Sequence, residues 1–279
     1  MRGLVSVLLC GAVAAGVAGC AATAPEVELE ASVVQPRTGI AQGVVAISLT
    51  NPGSEPLELV SASLDSELLG EPLLWSDGPA TLKPGRTVDL RVPLGTWNCE
   101  ADATAEATAT VEVSSEGTPA TVTTVPAPDP TVALRTLWDG ACLAEKVASI
   151  VDVQSAAFLS SGEAGVAGEL VLSTVPTGAE GEVLVTAVQG TTLLAPFDGS
   201  SGVARLAFNA RLDAAGPDEV RVPIVPNRCD AHALAEDKIG TRIPLEVTVG
   251  ELSGTLVLPA SDEVRAQMYA FYGSYCGLP

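Results

Sequence analysis

The chain has 279 residues, with 34 acidic against 14 basic side chains and a net charge of −20. That balance excludes nucleic acid, which requires basic patches, and excludes charge-driven adhesion to anionic lipid headgroups. Aromatics make up only 4% of the chain, so any site for a sugar or flat ligand is small, and the scattered acids serve solubility by mutual repulsion.

The first element is a leader. One positive residue, Arg2, precedes an apolar stretch from Leu4 to Val17 that ends in Val17-Ala18-Gly19-Cys20. A charged start, a short apolar run and small residues before a cut site make a secretory signal. The stretch is too short for a membrane span, which needs about 20 predominantly apolar residues. The terminal cysteine resembles the lipobox of bacterial lipoproteins. This resemblance implies cleavage before Cys20, lipidation of its thiol, and a protein held at the extracytoplasmic face of the membrane. Residues 1–19 are then the signal and 20–30 a tether.

Beyond the tether the pattern is β. Residues 43–49 read as a strand ended by Asn51-Pro52-Gly53, and residues 57–64 alternate loosely. Lys83-Pro84-Gly85 marks another turn, residues 88–92 alternate cleanly, and 108–113 are rich in Thr and Val. Residues 169–174, 182–188, 203–212, 220–224 and 243–249 repeat the style. Short strands separated by Gly/Pro turns predict β-sandwiches. The order of strand, Asn-Pro-Gly, strand, Pro-Gly and strand over residues 33–93 is similar to bacterial immunoglobulin-like modules.

Two segments break the pattern. Residues 230–238 place helix formers behind Asp230 and stop at Gly240, and residues 261–271 open with Ser-Asp-Glu, a good helix start. In the latter, Val264, Met268, Phe271 and Tyr272 share one face, which predicts a core-packing helix that carries Cys276.

Cys10 leaves with the leader and Cys20 takes the lipid, so four cysteines remain: Cys99, Cys142, Cys229 and Cys276. Four allow three pairings, and an internal repeat selects one. Arg91-Val92-Pro93 with Cys99-Glu100-Ala101 matches Arg221-Val222-Pro223 with Cys229-Asp230-Ala231 without a gap. Leu134, Leu137, Trp138 and Cys142 fall opposite Met268, Phe271, Tyr272 and Cys276 in the same way. The chain therefore reads as two diverged copies, 31–145 and 146–279. Each is closed by its own bridge, Cys99–Cys142 and Cys229–Cys276, and one or two short helices belong to the second copy.

Catalytic signals are few. His232 is the only histidine, no Gly-x-Ser-x-Gly elbow occurs, and the cysteines are assigned to bridges and lipid. On a helix His232 and Glu236 share a face, but two ligands are too few for zinc. The plainer role is local capping and salt bridging, with Asp237 or Glu236 meeting Arg242 or Lys238. Trp75, Trp97 and Trp138 read as core plugs and disulfide neighbours. Residues 227–241 resemble a segment of lipoproteins from high-GC Gram-positive bacteria that carry no assigned activity.

The expectation is a non-enzymatic, lipid-anchored envelope protein with no cofactor and no metal. Its partners are the membrane, through Cys20, and an envelope protein or small ligand. The alternatives are a hydrolase or metal-dependent enzyme centred on His232, and a solute receptor with a cleft between the copies.

Overall fold

A computed structural model describes residues 27–278, apart from 116, 117, 214, 217, 236, 238 and 239. The leader and Cys20 lie outside the described residues. So does Glu236, and with it the proposed pair with His232.

The first sandwich contains β1 (Glu30–Val34), α1 (Gly39–Gln42), β2 (Val44–Thr50), β3 (Leu57–Ser66), β4 (Leu73–Trp75), β5 (Ala80–Leu82), β6 (Thr87–Pro93), β7 (Ala107–Ser114) and β8 (Thr121–Pro126). One sheet has the order β1-β2-β6 and the other β4-β3-β7-β8, with β5 on the far end of β3. The first two strands thus join β6, while β3 pairs with β4, β5 and β7, and β7 in turn pairs with β8. That exchange between antiparallel sheets is the immunoglobulin-like arrangement. Packing begins inside the stretch read as a tether: Leu29 is already part of the core.

The next element is α2 (Ala133–Ile150), followed without a linker by β9 (Val151–Leu159). The second sandwich continues with β10 (Gly168–Pro176), β11 (Val183–Gln189), β12 (Leu194–Pro196), β13 (Arg205–Leu212), β14 (Glu219–Pro226), α3 (Ala231–Ala235), β15 (Ile243–Val249), β16 (Leu252–Leu258) and α4 (Asp262–Cys276). Its sheets have the orders β12-β14-β10-β9 and β13-β11-β15-β16. The pairings β1-β2-β6 and β3-β7-β8 of the first copy recur here as β9-β10-β14 and β11-β15-β16. Even an irregularity is shared: the register slips between Leu59 and Ser61 in β3 and between Val185 and Ala187 in β11. A bulge inserts one residue and shifts the inward face by one position. This explains why residues 57–64 alternate only loosely: Leu57 and Leu59 point inward before the slip, and Ala62 and Leu64 after it.

Helix content departs from the expectation. The first copy also ends in a helix, α2, and the boundary expected at 145–146 falls inside it. Leu134, Trp138 and Cys142 join the first core, whereas Leu143, Val147 and Ile150 join the second. The start of α2 carries no ordinary cap. Val132 occupies the cap position with φ 50° and makes no side-chain cap bond, while Asp129 accepts from the backbone N–H groups of Ala133 and Leu134, both at 2.7 Å. In α4 the cap is the expected one: Ser261 Oγ accepts from Val264 N–H at 3.2 Å. Among the described residues, no helix is long and apolar enough to cross a membrane.

Candidate functional site

The cysteine loops are built alike in the two copies. Cys99 is bonded to Cys142, with Cα atoms 5.4 Å apart, and Cys229 to Cys276, with Cα atoms 5.3 Å apart. Each bridge ties the loop after β6 or β14 to the copy's last helix. One turn before each late cysteine stands an aromatic residue with a polar tip. Trp138 Nε1–H donates to the carbonyl of Asn98 at 2.8 Å. Tyr272, its counterpart, donates its hydroxyl to the carbonyl of Arg228 and accepts from Asp230 N–H at 3.0 Å. In both copies the acceptor is the carbonyl just before the early cysteine. A buried indole or phenol needs such a partner, so the strap fixes the loop and satisfies the ring together.

A second strap sits one turn earlier. Arg135 Nη1 donates to the carbonyl of Ala103 at 2.6 Å, and its Nε reaches Asp139 at 2.9 Å. Its guanidinium also lies 5.2 Å from the Trp138 ring centroid, a cation–π contact. In the second copy Tyr269 donates its hydroxyl to Asp237 at 2.9 Å, while Asp237 accepts from Gly240 N–H at 2.6 Å. Burial, then the bond to Asp237, raises the Tyr269 pKa above its ordinary value. Among the described residues, Asp237 therefore caps the loop and holds α4; Glu236 and Lys238, the other members of the expected salt bridging, lie outside them.

His232 lies on α3, exposed to solvent, and its backbone N–H donates to Asp230 Oδ1 at 2.9 Å. Asp230 caps the short helix as the sequence suggested, and α3 ends at Ala235. Among the described residues, no three His, Cys, Asp or Glu side chains converge as a metal set. The joint between sandwiches holds an open groove of about 350 Å³ beside the first disulfide, lined by Trp138, Lys146 and Leu252 among others. A cleft of about 430 Å³ lies at the start of α2, walled by residues 103–107 and Arg135. All three tryptophans pack in or against the first core.

The second sandwich also carries a polar cluster on β11, β13 and β15. Arg205 forms a two-pronged pair with Glu246, at 2.7 and 2.6 Å, and Gln189 adds a bond at 2.9 Å. The Arg205 bond, then that of Gln189, lowers the Glu246 pKa to about 2. Asp102 is also held below its ordinary value, chiefly by the backbone N–H of Thr104 and then by its hydroxyl.

Sequence reasoning placed the four bridge cysteines and set Trp138 opposite Tyr272. It missed Arg135 and Tyr269 as straps, although the repeat that aligns Trp138 with Tyr272 aligns this pair too.

No protein-family model matches this chain. No curated protein matches it either. Among solved structures it is similar to the CsuC-CsuE chaperone-tip adhesion subunit pre-assembly complex of Acinetobacter baumannii. The match has 11% identity, covers 79% of this chain and 93% of that one, and has a TM-score of 0.22. The YadV chaperone matches at 12% identity over 77% of this chain and 90% of that chain, with a TM-score of 0.23. Red sea bream transglutaminase matches at 12% identity over 84% of this chain but 31% of its own, with a TM-score of 0.21. Superpositions this poor carry no functional weight.

Proposed function

We propose that this chain is a membrane-anchored extracytoplasmic lipoprotein that serves as a binding or scaffolding module of the cell envelope rather than as an enzyme. The observation that carries this reading is the pair of disulfide-closed sandwiches joined through one continuous helix. Disulfides form and persist in oxidising compartments outside the cytoplasm. A helix that ends in one core and begins in another holds two surfaces at a set separation, as a scaffold must. The bonds around His232 serve the fold: Asp230 caps α3, and Asp237 ties its loop to α4. The acidic surface keeps copies apart and leaves attachment to the lipid on Cys20.

The test is fractionation. The unaltered chain should partition with membranes and require detergent for release, whereas Cys20→Ala should appear in the soluble extracytoplasmic fraction. Each buried methylene of the lipid contributes about 0.8 kcal/mol, and two acyl chains hold firmly. Detergent-requiring membrane association of the Cys20→Ala protein would defeat the reading.

A further inference from the structure

The first sandwich has an open seam. β1 is the outer strand of one sheet and β8 the outer strand of the other. Val33 N–H donates to the carbonyl of Pro128 at 2.9 Å and closes the seam at that end. At the other end residues 27–30 face residues 123–125, so the strands run in the same direction, with a groove of about 540 Å³ between them.

The backbone explains why the seam does not close. In an antiparallel ladder, hydrogen-bonded and non-hydrogen-bonded pairs alternate. Ala127 N–H donates to the carbonyl of Ala107 at 2.9 Å. By the register of β7 and β8, Thr121, Thr123 and Val125 then direct their backbone groups at β7, while Val122, Thr124 and Pro126 turn theirs toward the seam. Pro126 has no N–H, so a ladder from β1 cannot propagate along β8 past the Val33 clamp. The N–H and C=O groups of Val122 and Thr124 are left facing the groove. Apart from Pro126, β8 bears neither the charge nor the bulge that blunts an edge strand. Val122 is 64% exposed.

The opposite wall is acidic. Glu28 and Glu30 line the groove, both are exposed, and neither forms an ion pair with another described residue. Among the described residues, no Lys or Arg lines it.

We infer that the seam between β1 and β8 is a docking site for an extended, basic segment of a partner protein. The segment adds to β8 as a strand. Its main chain bonds Val122 and Thr124, and its Lys or Arg side chains face Glu28 and Glu30. Edge addition draws affinity from the main chain and selectivity from alternate side chains. The inference deepens the binding reading above and rests on it. A second copy of this chain is disfavoured as the occupant, because it would bring the same two glutamates and a net charge of −20.

The full chain is titrated with a labelled peptide alternating Lys with Val and Thr, and with a counterpart in which each Lys is Glu. The basic peptide should bind saturably and roughly tenfold or more tightly than the acidic one, and less tightly as salt rises. Binding should protect the amides of Val122 and Thr124 from hydrogen exchange and leave Thr123, already bonded to β7, unchanged. Thr124→Pro removes an outward N–H and no backbone ladder bond, though it also removes the hydroxyl contact with Thr110 at 3.0 Å, so it should lower the melting temperature only slightly and abolish peptide binding. Glu28→Gln with Glu30→Gln should remove the preference for the basic peptide. If Thr124→Pro does not fold, the exchange pattern of the unaltered chain decides. Equal binding of both peptides overturns the inference, as does absence of saturable binding or protection at other amides. So does protection of Val122 and Thr124 in the chain alone, or a concentration-dependent dimer that protects them. Such failure would leave the anchored binding reading in place with another surface; that reading falls on the Cys20→Ala fractionation.

Discussion

α4 stops at its cysteine, and the next residue, Gly277, takes φ 62° and caps the helix, whereas α2 continues from Cys142 to Ile150. The internal repeat sets Leu143 opposite Gly277. A glycine there adopts the left-handed conformation that ends a helix at no steric cost. Leucine does not, so the turn propagates, and Leu143, Val147 and Ile150 become buried in the second core. The corresponding helix closes on a glycine cap in one copy and runs on into a joint in the other. The joint is also packed closely: a Cβ on Gly254 of β16 would sit 2.9 Å from Leu143 Cδ2.

The sharpest way to break this contrast is Leu143→Gly. It should cost about 5 kcal/mol, roughly 4 from the lost buried side chain and about 1 from glycine inside a helix. Calorimetry should then resolve two transitions, whereas the unaltered chain should melt in one coupled transition. A single transition at an unchanged temperature would mean that α2 does not couple the cores.

The disulfides come next. They close loops of 43 and 47 residues, and on the chain-entropy model each contributes about 4 kcal/mol. Cys99→Ser with Cys142→Ser, and Cys229→Ser with Cys276→Ser, should lose nearly the same stability in urea denaturation. The first pair should also loosen the joint, seen as faster amide exchange in β9, and the second should leave β1 to β8 unaffected.

A smaller effect tests the straps. Tyr272→Phe removes the hydroxyl that serves Arg228 and Asp230 and should cost about 1 kcal/mol, the usual net contribution of a hydrogen bond. Trp138→Phe removes one such bond together with ring volume from the first core and part of the contact with Arg135, so it should cost at least as much; chemical denaturation of both variants measures this.

The smallest effect concerns Glu246. Its folded pKa of about 2 lies below the ordinary 4.5, so the folded state favours the ionised carboxylate. The stability it contributes is complete above the ordinary value and is lost as pH falls through the folded one. Between pH 5 and pH 2, Glu246→Gln should therefore lose less stability than the unaltered chain, and should differ little from it at pH 2. Because the pair is solvent-exposed, the difference is modest.

Much of the architecture was legible in the residues. Alternation and turn chemistry are local, so β2, β3, β6 and β15 could be read from residues 43–49, 57–64, 88–92 and 243–249. The repeat made the cysteine pairing legible as well, because two equivalent loops must close in equivalent ways. What stayed hidden depends on contacts distant in sequence. α2 has an apolar face in Leu134, Trp138, Cys142, Val147 and Ile150, but its cap comes from Asp129 rather than from the residue before the helix, so the usual start signal is missing. The straps of Arg135 and Tyr269 depend on loop carbonyls and carboxylates that only the disulfides bring within reach. The open seam is a tertiary property as well. Residues 121–126 read alone as a Thr/Val run, and only the pairing with β7 and the clamp at Val33 decide which backbone groups face solvent. Sequence determines which segments can be strands, helices or bridges because those preferences act within a few residues. Which edges, helix exits and polar groups remain unpaired is decided by the fold, because it depends on every neighbour at once.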